Sequence, residues 1–172
     1  MDRLSGLALL ALLCLPAVGA HAEADLARPA AQVEVVLPQP GALRYAAAGA
    51  DRAALLGDLG LDLERAVRPR LPAGSSLRVA ILAVDLAGRY EPWHPPQLAG
   101  VRIVRDVYSP SIDLEFTLTD AAGAVSKGGR RTLRDPSGAI LGTPDLPADP
   151  LRFEKLLLRN WVEREFPATN PR

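Results

Sequence analysis

The chain has 172 residues, 48% of them apolar, and its 20 basic and 20 acidic side chains leave no net charge. A balanced chain has no electrostatic footprint for nucleic acid, which excludes DNA and RNA as expected partners. One cysteine and two histidines leave no disulfide framework and too few ligands for an ordinary zinc centre.

Arg3 gives a positive start, Leu4 to Val18 is an apolar run broken by Pro16, and Ala20-His21-Ala22 supplies small residues where a signal peptidase reads. Residues 1–22 therefore read as a cleavable secretory signal peptide. The apolar centre falls short of the roughly 20 residues of a membrane span. Cleavage after Ala22 makes the protein periplasmic and removes Cys14, so no thiol chemistry remains. A lipid anchor on Cys14 needs a small residue before it, and Leu13 is large. Membrane attachment is expected only if Cys14 is lipidated. Residues 23–31 form a flexible leader, 32–167 a single domain and 168–172 a tail. About 150 residues suffice for one core, burying roughly 68–70% of the unfolded surface.

Gln32 to Leu37 is β-branched, stops at Pro38 and reads as a strand. Gly41 to Ala50 is small-residue linker. Asp51 is the N-cap of a helix whose stripe is Leu55, Leu59, Leu63 and Val67, widened by Leu56 and Ala66. Gly57 and Gly60 weaken it, each by about 1 kcal/mol against alanine. Pro69 and Pro72 end it.

Leu77 to Leu86 is apolar on both faces, the pattern of a central strand covered on both sides. The loop from Arg89 to Gly100 carries three prolines. Val101 to Tyr108 reads as a short strand. Ser111 to Asp120 alternates, with Ile112, Leu114, Phe116 and Leu118 on one face, as in a half-buried antiparallel strand. Asp120 to Gly123 turns the chain into a returning strand, Ala124 to Arg134, where Gly128-Gly129 marks a bulge or a close backbone approach. Residues 135–148 read as loop. Asp149-Pro150 opens a closing helix, with Trp161 as its largest contribution to the sheet contact. The order β-α-β-β-β-β-α predicts an α+β fold, a mostly antiparallel sheet of four to five strands with two helices packed on it.

No Gly-x-Ser-x-Gly surrounds a serine, and no cofactor signature is present. Two chemistries stay open. Asp85 and Glu91, six residues apart at a strand end, could flank a glycosidic bond as the carboxylate pair of an envelope glycan hydrolase. The plainer account has Asp85 capping a turn and Glu91 solvated or paired with Arg89. The loop residues Arg89, Tyr90, Glu91, Trp93 and His94 are the candidate binding residues, because Arg, Tyr and Trp dominate interface hot spots and prolines pre-set an extended form. Tyr90 and Trp93 could instead fold back to plug the core. The basic set Lys127, Arg130, Arg131 and Arg134 either pairs across the strands with Asp113 and Glu115 or meets an anionic ligand. The expectation is a non-catalytic binding or envelope-interaction module, not an enzyme, whose partner is an envelope protein or an anionic ligand.

Three segments carry a family likeness: Leu77-Arg78-Val79 running into Val84-Asp85-Leu86-Ala87-Gly88-Arg89 with Glu91-Pro92-Trp93; Ile112 to Asp120; and Asp149-Pro150-Leu151-Arg152-Phe153-Glu154-Lys155 with Leu158 and Trp161. Together they resemble the bacterial family Domain of Unknown Function 3016, over about Val33 to Phe166. The resemblance implies a bacterial, exported protein and supplies no catalytic residue. The stretch from Ser137 to Ala148 matches nothing in it.

Overall fold

The computed structural model describes residues 29–91, 102–135, 140–141 and 149–168. The signal peptide, most of the leader, Trp93, His94 and most of the 137–148 loop lie outside the described residues.

The first strand, β1 (Gln32–Val36), pairs in parallel with β3 (Ser76–Asp85). A second short strand, β2 (Leu43–Arg44), lies farther along the same edge of β3, also parallel. The stretch expected to be linker thus contributes a strand, because Leu43 is the one large apolar side chain between Pro40 and Tyr45 and is buried. On its other side β3 pairs antiparallel with β6 (Ser111–Thr119), and β6 with β7 (Val125–Arg134). The result is a mixed five-stranded sheet. Arg89–Tyr90 (β4) and Arg102–Ile103 (β5) form a separate two-stranded ribbon. The strand expected over Val101 to Tyr108 is therefore shorter: it ends at Ile103, and Asp106–Tyr108 is a single 3-10 turn.

Two helices, α1 (Arg52–Val67) and α2 (Arg152–Glu165), pack against one another and on one face of the sheet. Asp51 caps α1 as expected, its Oδ1 accepting from the Ala54 N–H at 3.0 Å. Leu56, Leu59, Leu63 and Val67 are buried. Asp149 leads into α2 by accepting from the Leu151 N–H at 2.7 Å, and the helix proper begins at Arg152. Trp161 makes edge-to-face contacts with Phe116 and Phe166, centroids 5.5 and 5.6 Å away, an arrangement that adds about 0.5–1.5 kcal/mol per pair to area burial.

β3 is central but carries helices on one face only. Leu77, Val79 and Ile81 point to the core; a bulge between Ile81 and Ala83 then re-phases the strand so that Val84 does too. Leu82 is left 36% exposed. The apparently double-sided apolar pattern is a one-sided pattern with an inserted residue. At Gly128 the pairing stays in register, and the irregularity falls at Leu118/Thr119. The close approach is real, since a Cβ on Gly128 would sit 2.9 Å from the Phe116 carbonyl oxygen. Pro29 and Ala31, the end of the expected leader, are tied down: Pro29 O accepts from the Gly74 N–H at 2.7 Å and Ala31 O from Arg68 at 3.1 Å.

Candidate functional site

Where β3 ends, the chain turns at Leu86-Ala87-Gly88. Gly88 has φ +81°, and a Cβ there would meet the Ile103 carbonyl oxygen at 2.8 Å, so only glycine brings the turn this close to β5. The Gly88 N–H donates to Tyr108 O at 2.8 Å. The turn launches β4, whose alternation sends Arg89 and Glu91 one way and Tyr90 the other.

Glu91 is buried rather than solvated. Tyr108 OH donates to its Oε1 at 2.8 Å, and Arg105 Nη2 stands 3.4 Å from Oε2. This carboxylate holds the Tyr108 phenol above its ordinary pKa, because ionising Tyr108 would destroy the hydrogen bond. Arg89 lies flat on Tyr45, its guanidinium carbon 3.1 Å from the ring centroid, and donates to Leu86 O and Gly88 O. Tyr45 adopts φ +64°, a left-handed conformation that costs a non-glycine residue about 1–3 kcal/mol and is sustained by its surroundings. Arg89 and Glu91 thus brace the ribbon.

Tyr90, on the opposite side, lines a cleft of about 520 Å³. Ala46, Ala47 and Ala50, from the connection after β2, form one wall, Ala54 and Leu55 of α1 continue it, and Leu86 belongs to it at the strand end. Arg102 and Pro150 line it on the side of β5 and α2, and Asp51, the N-cap of α1, adds one carboxylate, whose Oδ1 is engaged by the Ala54 N–H. The volume falls within the range of small-ligand pockets, about 300–1,000 Å³. Arg102 donates to Pro150 O at 2.9 Å and forms no ion pair among the described residues. A mostly apolar trough with one guanidinium that makes no ion pair among the described residues suits a ligand with an apolar body and an anionic end.

Beneath this region lies a group the sequence pattern concealed. Glu154, in the first turn of α2, is fully buried. Its Oε1 accepts from the Ala87 N–H at 2.7 Å, and its Oε2 has no hydrogen-bond partner among the described residues. Burial pushes its pKa up, against the Ala87 bond and the fields of Arg102 and Arg152. The signal was its position: Glu154, Leu157, Leu158 and Trp161 occupy the i, i+3, i+4, i+7 places of one buried stripe.

The other sequence candidates have fixed partners. Asp85 does not cap a turn; it takes Arg44 bidentately, with Nη2 to Oδ2 at 2.8 Å. Lys127 and Arg131 do not pair with Asp113 and Glu115. They grip Glu165 of α2, both at 2.9 Å, and the Arg131 and Lys127 contacts lower the Glu165 pKa to about 2. Arg130 sits opposite Glu115 in register, without an ion pair among the described residues. No group of three or more His, Cys, Asp or Glu among the described residues could hold a metal ion. No described helix is long and apolar enough to cross a membrane.

Fold and cleft define an α+β domain with two helices on one face of a mixed sheet and an apolar recess at the sheet's end. The chain belongs to the family described as Protein of unknown function (DUF3016), whose model matches residues 43–164, from β2 through nearly all of α2. No curated protein matches it. Among solved structures it is similar to a PelC variant, a dodecamer from Paraburkholderia phytofirmans, at 14% identity over 83% of this chain and 95% of that one, TM-score 0.37. It is also similar to a minor lipoprotein from Acinetobacter baumannii, at 9% identity over 78% of this chain and 88% of that one, TM-score 0.29. Both scores are too low to carry an argument about this chain.

Proposed function

We propose that this protein is a periplasmic binding module, without catalytic activity, whose ligand is an amphiphile with an apolar body and an anionic end. The observation that carries the proposal is the alanine-walled cleft with Tyr90 and Arg102 in its lining, Arg102 being a cation without an ion pair among the described residues. The periplasmic setting rests on the signal-peptide pattern of residues 1–22. The hydrolase alternative gains no support: Asp85 is clamped by Arg44, and Glu91 is held by Tyr108 and Arg105.

The test uses anilinonaphthalene sulfonate, an apolar fluorophore with an anionic group. Native protein should enhance its fluorescence with micromolar affinity. Ala54→Trp, which fills the cleft from an exposed position, should abolish the enhancement. Arg102→Ala should weaken binding about tenfold, the worth of about 1.4 kcal/mol for one charge-assisted contact. Equal affinity for all three proteins, with unchanged melting temperatures, would refute the proposal.

A further inference from the structure

A second cleft lies at the same end of the sheet, and its chemistry is opposite. Leu43, Val84, Ile112 and Leu133 are aligned across four strands and all buried. The next row, one residue on, is Arg44, Asp85, Ser111 and Arg134. Side chains alternate across a strand, so this second row stands on the helix-free face. Arg44 holds Asp85, and Ser111 Oγ is 3.4 Å from Asp85 Oδ2. Arg134 is exposed and has no ion pair among the described residues. Asp135, next along, is buried, and its Oδ2 accepts from the Ile140 N–H at 2.8 Å. Asp85, Ser111, Arg134 and Asp135 line a cavity of about 410 Å³, with Val107 and Pro110 as its apolar rim. Val107 is 77% exposed, the most exposed large apolar side chain described.

We infer that this cleft binds a neutral polyhydroxylated ligand, a saccharide. The charges decide the class. An anion would gain one guanidinium, Arg134, and would face the carboxylates of Asp85 and Asp135. A cation would meet the Arg134 guanidinium. A sugar hydroxyl is both donor and acceptor, and a cleft that alternates carboxylate, hydroxyl and guanidinium answers both halves. The exposed Val107 gives the C–H face of a pyranose an apolar surface to cover. The register row holds the polar groups on paired strands, so the site is pre-formed and little ordering opposes binding. This inference is independent of the amphiphile cleft.

The experiment is an amide chemical-shift titration of the full chain with chitotriose, a neutral oligosaccharide, and separately with inorganic phosphate. Chitotriose at millimolar concentration should shift Val107, Ser111 and Arg134, while phosphate should leave them in place. Arg134→Ala, at an exposed position, should keep the native spectrum and weaken chitotriose binding about tenfold. Ser111→Ala should weaken it less. No chitotriose shift, shifts confined to the Tyr90 cleft, stronger shifts with phosphate, or unchanged affinity in Arg134→Ala would each overturn the inference.

Discussion

Glu154 offers the sharpest test of the packing beneath the amphiphile cleft. Among the described residues the fully buried carboxyl accepts from the Ala87 N–H at Oε1, and Oε2 has no partner. Burial raises its folded-state pKa above the unfolded value of about 4.3. Between those two values the folded state keeps a proton that the unfolded chain has lost, so stability falls as pH rises, by about 1.4 kcal/mol per pH unit of the window. The contribution is complete below about pH 4.3 and gone once pH exceeds the raised folded value. Glu154→Gln keeps an acceptor for Ala87 and cannot ionise. Its urea midpoint should therefore lack this downward slope, and the gap to the native protein should widen as pH rises above about 4.3 and level off once the raised folded value is passed. Glu154→Leu also removes the charge but orphans the Ala87 N–H, at a cost of about 1–3 kcal/mol at every pH. Parallel pH curves for the native protein and Glu154→Gln would refute the reasoning, because they would mean that the carboxyl is solvated or ion-paired.

Two further outcomes follow from the core and from the clamp on α2. Trp161→Ala, which opens the aromatic cluster with Phe116 and Phe166, should cost about 3–5 kcal/mol in urea unfolding. Trp161→Phe should cost far less, because the indole N–H it deletes has no acceptor among the described residues. Glu165, lowered to about 2 by Arg131 and Lys127, contributes stability that is present above the unfolded value of about 4.3 and lost as pH falls towards 2. Glu165→Gln should thus be less stable than the native protein at pH 7, with the difference closing at pH 2 in thermal melts.

The helices and long strands were legible because their signals are local. Asp51, the α1 stripe and the alternation from Ile112 to Leu118 each declare their element within a few residues. The sheet's one-sidedness was not, because a bulge after Ile81 shifts the phase of β3 and makes one apolar face look like two. The short strand β2 hid in a run of small residues whose partner, β3, is some forty positions away. The same distance concealed the Arg44–Asp85 pair, and with it the reason Asp85 is not free. At the candidate site, the described residues of the loop from Arg89 divide between the fold and the cleft. Arg89 and Glu91 turn inward to brace Tyr45 and Tyr108, and only Tyr90 of the described candidates faces the cleft. Ala46, Ala47, Ala50 and Ala54 looked like filler, yet their small side chains leave the cleft open. Trp93 and His94 lie outside the described residues.

The central claim is that the alanine-walled cleft is a ligand site, and intermolecular nuclear Overhauser effects test it most directly. With anilinonaphthalene sulfonate bound to the full chain, contacts should appear from the aromatic protons of the probe to the methyl groups of Ala46, Ala50, Ala54 and Leu55. The sulfonate end should lie towards Arg102. Contacts to methyl groups elsewhere, with none to these four residues, would contradict the account.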